Sequence, residues 1–300
     1  MSLGSSLRLL LLGMIWGASF LFQRITVPAV GAAFTAASRL ALAAILLLLL
    51  VRLLGRPLQL RSKWRAWLLL GSMSSAVPFL SFAFAARYLP AGYLAVINAT
   101  VPLMTVLLIW LLTRSRPSFS KLVGVVVGLL GVAVLARYGN VPMNASALIG
   151  VGLALLASLM YAASALFIRR YHADSDPLAL AAASQLAAAA VTFPLAVANF
   201  PGSVPTLEVL LSLITLGLVC TGLAYALYFR LLSDIGTEKA VTNTFLVPLF
   251  AQLWGALFLG ERLTLVGALG FGLVLIAIAL VLELLRWPFG RRAPRNRGLP

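Results

Sequence analysis

GTEKAVTNTFLVPLFAQLWGALFLGER, residues 236–262, is the stretch from which the fold of this chain can be inferred. It begins with polar residues, Pro248 interrupts its apolar run, and a charged pair closes it. Residues 90–116 repeat the pattern at a shift of 146 positions, which places Pro102 on Pro248. The repetition predicts that the chain consists of two copies of one unit.

The composition excludes a water-soluble globular protein. Of the 300 residues, 62% are apolar and 10% are charged, whereas soluble domains have about 45–50% and about 25%. Apolar runs of about twenty residues, the length that a helix needs to cross a bilayer, recur along nearly the whole chain. We therefore predict an all-α integral membrane protein.

Ten transmembrane helices are expected. The runs are continuously apolar, whereas the strands of a membrane barrel alternate between apolar and polar residues, so each run must satisfy its own backbone as a helix. The predicted spans are 7–27, 31–51, 66–87, 91–112, 119–137, 147–169, 177–198, 207–230, 237–259 and 263–285.

Lysine and arginine indicate the orientation of these spans. Eighteen of them fall on one side of the membrane and four on the other, while Arg39 lies within a span. Because cytoplasmic loops carry the excess of basic residues, both termini are predicted to be cytoplasmic. The net charge of +16 is explained by this topology and does not require a nucleic-acid partner.

The repeat extends beyond the opening stretch. Residues 16–24 align with residues 161–169 at a shift of 145, close to the shift found above. Five spans in each copy is an odd number, so the second copy must be inverted in the membrane, an arrangement typical of secondary transporters. The predicted units are residues 1–140, residues 141–287 and a basic cytoplasmic tail at 288–300. Chance similarity between apolar segments is the alternative.

The chain resembles the drug/metabolite transporter superfamily, in its ten-span branch with duplicated EamA-type domains. The features that carry the resemblance are the sequence WGASF at 16–20, Arg39, Pro248 and the sequence GERLT at 260–264. Their order, spacing and duplication cover almost the entire chain. Within the superfamily the chain is most similar to YddG-like exporters of aromatic and neutral amino acids.

This resemblance implies export of small metabolites, commonly amino acids, across the inner membrane of a bacterial cell. The implied partners are a small-molecule substrate and the lipid bilayer. Export of other solutes, such as drugs, sugars or nucleosides, is the alternative. The sequence departs from the family at residues 114–117, RSRP, so Glu261 has no acidic counterpart in the first half, and a role at the membrane boundary or at a helix end is predicted for it.

Prolines inside the predicted spans are candidates for hinges, because proline removes a backbone hydrogen bond and clashes with the preceding turn. Pro78, Pro102 and Pro248 are the hinge candidates. A simple kink whose freed carbonyls bond to neighbouring groups is the alternative for each.

Aromatic and polar residues within spans are candidates for a substrate cavity, because intramembrane polar groups tend to face the interior of a helix bundle. Core packing and helix-to-helix hydrogen bonding are the alternatives. The substrate-binding candidates are Trp16, Ser19, Phe79, Phe82, Asn98, Tyr161, Ser164, Gln185, Asn243 and Trp254.

Arg39 is the one arginine predicted to lie within a span. An arginine at a helix centre costs about 2.5–3.5 kcal/mol on insertion-based scales, so it needs a partner. That partner could be a substrate carboxylate, or the side chain could extend outward to carbonyl groups at a helix end.

The remaining chemistry of the sequence argues against an enzyme and against proton coupling. One cysteine and one histidine provide no nucleophile–base pair or metal cluster, so we expect no metal, no cofactor and no enzymatic activity. No protein partner is evident. All seven acidic residues fall in predicted loops or near span ends, which favours facilitated transport over proton antiport.

The fifth and tenth spans are rich in glycine. Gly124, Gly128 and Gly131 correspond in the repeat to Gly267, Gly270 and Gly272. Since small residues let membrane helices approach closely, these two spans are predicted to pack together as a static scaffold.

Overall fold

A computed structural model describes residues 2–284, apart from positions 59, 61, 115, 139–143, 173–174, 241–242 and 263. The predicted junction between the two units at 140/141 and the predicted tail at 288–300 lie outside the described residues. Within the described part of the chain the regular structure is entirely helical. The predicted all-α class is therefore confirmed.

The α-helices in chain order are α1 (Leu3–Val30), α2 (Ala32–Leu53), α3 (Trp64–Gly71), α4 (Val77–Ala85), α5 (Ala91–Asn98), α6 (Val101–Thr113), α7 (Phe119–Tyr138), α8 (Ala145–Tyr171), α9 (Pro177–Ala198), α10 (Leu207–Ile214), α11 (Ala224–Ala240), α12 (Asn243–Leu259) and α13 (Leu265–Val281). Each predicted span coincides with one of these helices or with consecutive helices.

Seven helical segments in the described residues are long and apolar enough to cross a membrane. Three of these segments are composite: Trp64–Ala85, Ala91–Thr113 and Leu207–Leu232. The fifth, ninth and tenth predicted spans correspond to shorter apolar helices. The chain is thus a multi-pass membrane protein.

Two π-helical segments interrupt the long helices. Ser72–Ala76 joins α3 to α4, and Thr215–Leu223 joins α10 to α11. Such wide turns inside α-helices are often found at functional sites. The second segment carries Thr221, whose hydroxyl donates to the Leu216 carbonyl at 2.9 Å, five residues earlier.

The three prolines have different settings. Pro78 directly follows the π-helical segment that joins α3 to α4, and Pro102 lies in the first turn of α6, where the missing N–H has no helical partner to lose. Pro248 lies inside α12. Pro78 therefore lies within the continuous helical stretch Trp64–Ala85, and Pro102 follows the break between α5 and α6. The hinge role of the three prolines stays a prediction.

Contacts between the first seven helices and the later ones form matching pairs. α1 packs on α12, and α8 packs on α5 and α6. α2 packs on the second π-helical segment, and α9 packs on α3 and on the first π-helical segment. α2 also packs on α9, and α7 packs on α13. A contact between a helix of the first half and one of the second half is thus matched by a contact between the corresponding helices with the halves exchanged.

The predicted packing of the fifth and tenth spans is confirmed by the α7–α13 contact. A Cβ atom added at Gly131 would lie 2.9 Å from the Gly270 carbonyl oxygen, and one added at Gly124 would lie 2.9 Å from the Ala277 carbonyl oxygen. At these glycines the backbone of α7 approaches the backbone of α13 at separations that larger residues would prevent. Gly272 faces open space and takes no part.

Candidate functional site

A cavity of about 340 Å³ lies between the helices of both halves of the chain. α1, α2, α4, α5 and α8 contribute to it, together with the second π-helical segment, α11 and α12. The predicted residues that line it are Trp16, Ser19, Arg39, Phe79, Phe82, Asn98, Tyr161, Asn243 and Pro248. The structure therefore gathers most of the candidates around one space.

Aromatic rings form two walls of the cavity. The ring centroid of Tyr161 lies 6.3 Å from that of Phe82, in a stacked arrangement, and 6.4 Å from that of Phe79, in an edge-to-face one. On the second wall, the Trp16 and Tyr228 centroids are 5.3 Å apart. Rings at these separations attract one another and offer large apolar faces to a ligand.

Arg39 is the charged residue of this lining. Its side chain is buried, so it does not extend to a helix end. Its Nε donates to the Thr221 hydroxyl oxygen at 2.7 Å, and its Cζ lies 3.9 Å from the centroid of the Phe79 ring. The ion pairs among the described residues do not include Arg39. The guanidinium is thus oriented by a hydroxyl and an aromatic face without a protein carboxylate to neutralise it.

Asn98 and Asn243 bring two side-chain amides to the same cavity. Asn98 is the last residue of α5, and Asn243 is the first of α12. Neither the Asn98 Oδ1 nor the Oδ1 and Nδ2 of Asn243 has a hydrogen-bond partner among the described residues. Buried side-chain polar atoms are usually bonded, so these three are exceptions that need an explanation.

Three predicted substrate-binding residues lie elsewhere. The Ser164 hydroxyl donates to the Tyr161 carbonyl of its own helix at 2.9 Å. The Gln185 Nε2 donates to the Ser75 hydroxyl at 2.9 Å, and the indole N–H of Trp254 donates to the Met14 carbonyl at 3.1 Å. Their polar atoms contact helices, and none of the three lines the cavity.

The structure adds lining residues that the sequence analysis did not select as binding residues, among them Gln23, Thr221 and Thr244. The sequence contains part of the information that would identify them, since all three are polar residues within apolar stretches. What was missing is the direction in which each side chain points, because the apolar surroundings of these spans do not distinguish an inner from an outer helix face.

Glu261 lies beyond the opposite end of α12 and joins the two halves of the chain. From Pro248 at the cavity to the end of the helix at Leu259 is about 16 Å, at about 1.5 Å per residue. The Glu261 carboxylate accepts from the backbone N–H of Ala91 at 2.8 Å and of Gly92 at 3.4 Å. It thereby caps the first turn of α5, so the predicted helix-end role is confirmed.

Arg24 completes this junction. Its Nε lies 3.8 Å from the Glu261 Oε1, and its Nη1 donates to the Ala86 carbonyl at 2.6 Å. The Glu261 side chain is only 10% exposed, so solvent screens this pair little. The junction ties α1 and α5 to the loop after α12 on the side away from Asn243.

Replacing Glu261 with alanine should destabilise the protein by about 0.5–2 kcal/mol, because the first turn of α5 loses its cap. Thermal unfolding of the purified protein in detergent measures the effect. Glu283→Ala is the matched control, since the Glu283 carboxylate is 57% exposed and pairs at the surface with Lys121 at 3.4 Å. Equal losses for the two variants would contradict the capping role.

Comparison with known proteins gives a consistent result. The sequence model of the EamA-like transporter family matches the chain twice, over residues 5–137 and residues 148–283. An uncharacterized transporter of Archaeoglobus fulgidus is 24% identical over 273 residues, which are 89% of this chain and 95% of the relative. The uncharacterized inner membrane transporter YedA of Escherichia coli (strain K12) is 29% identical over 276 residues, with 89% of this chain and 87% of YedA covered.

Similarity extends to further sequences and to the fold. The protein PecM of Dickeya dadantii is 28% identical over 222 residues, which are 73% of each chain. A solved protein crystal structure superposes with a TM-score of 0.66 at 18% sequence identity, covering 95% of this chain and 98% of the other. The helices described above therefore form a fold that is also found in a solved structure.

Proposed function

Because this chain belongs to the EamA-like transporter family, we propose that it exports small metabolites, and specifically neutral and aromatic amino acids, across the inner membrane of a bacterial cell. The observation that carries this proposal is the Arg39 guanidinium, which forms no ion pair among the described residues and lies in a cavity walled by aromatic rings. The inner-membrane location is supported by the relative YedA, an inner membrane transporter of Escherichia coli.

The proposed architecture is a pair of inverted repeats of five spans each, with both termini in the cytoplasm. The double match of one family model and the reciprocal helix contacts support the duplication. The excess of lysine and arginine on one side supports the orientation. We propose residues 1–140 and 141–287 as the two units, followed by a basic cytoplasmic tail.

The cavity has the chemistry for an amino acid with an apolar side chain. A guanidinium binds a carboxylate through parallel N–H donors, and the hydrogen bond described for Arg39 is the one that its Nε donates to Thr221. Phe79, Phe82 and Tyr161 surround this point with ring faces that suit an aromatic side chain. A cationic drug has no carboxylate to meet among the lining residues, which places drugs behind amino acids as the alternative.

Alternating access is the proposed mechanism, and the position of the cavity between the halves supports it. The junction of Glu261, Ala91 and Arg24 closes the structure at one end of α12, while the cavity lies at the other end. Rocking of one half against the other would break this junction and expose the cavity to the other side of the membrane. Pro248 and the break between α5 and α6 are the proposed flexible points.

Transport is proposed to be facilitated, without coupling to protons. The cavity lining contains no carboxylate and no histidine among the described residues. His172 follows the end of α8, where burial and, to a lesser degree, the charge of Lys63 lower its pKa. Proton relays inside membranes use acidic or histidine side chains within the spans. In the described part of this chain such side chains are not among the residues that line the cavity.

Counterflow in proteoliposomes tests the proposed function. Vesicles that contain the wild-type protein and unlabelled phenylalanine should accumulate labelled phenylalanine, and should accumulate labelled glucose or uridine no better than vesicles without protein. If labelled glucose or uridine accumulated and labelled phenylalanine did not, the alternative substrates would be established.

A second measurement tests the absence of proton coupling. An imposed pH gradient should leave net phenylalanine movement unchanged when the substrate concentrations on the two sides are equal. Uphill movement driven by the gradient and abolished by a protonophore would contradict facilitated transport.

A further inference from the structure

Two asparagines from different halves of the chain lie at one cavity. Asn98 is the last residue of α5, at the break before α6, and Asn243 is the first described residue of α12. The two asparagines come from the fourth and ninth predicted spans, which are related by the repeat. A helix interruption such as the one after Asn98 supplies binding groups in many secondary transporters.

Asn243 is buried without satisfying its amide. Its relative exposure is 2%, and both its Oδ1 and its Nδ2 lack hydrogen-bond partners in the described part of the chain. The side chain lies against α1, because a Cβ atom added at Gly13 would be 3.1 Å from the Asn243 Oδ1. An apolar side chain of similar size would avoid the desolvation cost of this amide, so its presence indicates a ligand that bonds to it.

Asn98 supplies a second acceptor at the same cavity. Its Oδ1 is buried and has no partner among the residues that the structure describes, although Ser158 and Thr100 nearby both donate to the Ile97 carbonyl. Two amide oxygens without donors therefore lie in the lining that also contains Arg39. Among the described residues, the lining thus combines two amide oxygens that accept no hydrogen bond with the Arg39 guanidinium, which has no carboxylate partner.

This combination matches the head group of an α-amino acid. An ammonium group provides three donors, which amide oxygens accept. The carboxylate beside it provides acceptors, which suit the guanidinium of Arg39. A carboxylic acid without the amino group would leave the two amide oxygens unpaired.

We propose that Asn98 and Asn243 form the subsite of the cavity that binds the substrate ammonium group, whereas Arg39 binds the substrate carboxylate. The two asparagines thereby make the transporter select α-amino acids over their deaminated analogues. The proposal rests on the proposed function, because it assigns a part of the same substrate site. Neutral acceptors hold the ammonium without adding a negative charge to the membrane interior, where an acidic side chain would be costly.

Phenylalanine and 3-phenylpropionate test the subsite, because the two solutes differ only in the amino group. In counterflow, the wild-type protein should favour phenylalanine at least about tenfold, since a site built to bond an N–H group rejects the analogue that lacks it. Asn243→Leu and Asn98→Leu should each reduce this preference about tenfold, with 3-phenylpropionate exchange within about twofold of wild type.

Thr192→Val is the matched control variant. The Thr192 hydroxyl is also buried but donates to the Ala188 carbonyl of its own helix at 2.9 Å, outside the cavity. The preference of the Thr192→Val variant for phenylalanine over 3-phenylpropionate should equal that of the wild type. Equal reduction of both solutes in the asparagine variants would overturn the subsite.

The wild type alone also tests the proposal, so failure of a variant to fold does not decide it. Wild-type protein that exchanges phenylalanine and 3-phenylpropionate equally well would overturn the subsite while the proposed function stands. Wild-type protein that exchanges neither solute would overturn the proposed function, and the subsite with it.

Discussion

Arg39→Gln is expected to reduce phenylalanine counterflow about 10- to 100-fold. A hydrogen bond to a charged group contributes about 1.5–3 kcal/mol, and about 1.4 kcal/mol corresponds to a tenfold change in affinity. Glutamine keeps a donor for the Thr221 hydroxyl but loses the positive charge and the planar fork that matches a carboxylate. Initial counterflow rates over a range of phenylalanine concentrations measure the effect.

Two further variants separate the charge of Arg39 from its shape. Arg39→Lys should retain an intermediate rate, since lysine keeps the charge without the bidentate geometry. Arg52→Gln is the control, because Arg52 is exposed in the last turn of α2. Wild-type rates in Arg39→Gln, or equal losses in Arg39→Gln and Arg52→Gln, would show that the guanidinium does not bind the substrate.

Gly17→Val is expected to cause the largest loss of stability in α1. A Cβ atom at this position would lie 2.7 Å from the Phe250 Cβ and 2.8 Å from the Ala251 backbone nitrogen. Neither atom can move without displacing α12, and overpacking of this kind costs about 1–3 kcal/mol or more. The helix pair that carries Trp16 and Asn243 would therefore separate. The midpoint of thermal unfolding and the yield of monodisperse protein in detergent measure the loss.

Gly152→Val provides the matched control for this substitution. Gly152 is in α8, is exposed, and has no atom within 4 Å of an added Cβ. Valine there should leave the unfolding midpoint near that of the wild type. A comparable drop in both variants would mean that the α1–α12 contact does not limit the stability of the bundle.

The helical fold could be predicted because the bilayer imposes it. A run such as residues 177–198 is long and apolar, and in lipid it has no other way to satisfy its backbone, so its limits agree with those of α9. The interruptions were harder to predict. Pro102 suggested a kinked helix, but the chain instead ends α5 at Asn98 and starts a new helix at Val101, where a proline costs nothing.

The candidate site could be predicted only as far as residue type allows. Trp16, Ser19 and Tyr161 were identified from the repeat, and they line the cavity. Gln185 and Trp254 have equally suitable side chains, yet they bond to neighbouring helices. A helix that is apolar all round gives no periodic signal for its inner face, so packing decides which polar residues reach the cavity.

The roles of Glu261 and Arg39 also depend on contacts that the sequence does not reveal. The sequence suggested that Glu261 is a helix-end residue, but it could not show that the capped helix is α5, in the other half of the chain. Arg39 was identified as an intramembrane cation, while its support by Thr221 and Phe79 depends on contacts between distant segments. Both roles arise from tertiary packing.

The structure of the protein bound to phenylalanine tests the central claim most directly, namely that this cavity is the substrate site. At saturating phenylalanine, the ligand should lie in the cavity with its carboxylate about 3 Å from the Arg39 guanidinium and its ring against Phe82 or Tyr161. Phenylalanine bound elsewhere, for example in the pocket lined by Arg24 and Arg87, with the cavity unoccupied, would contradict the account.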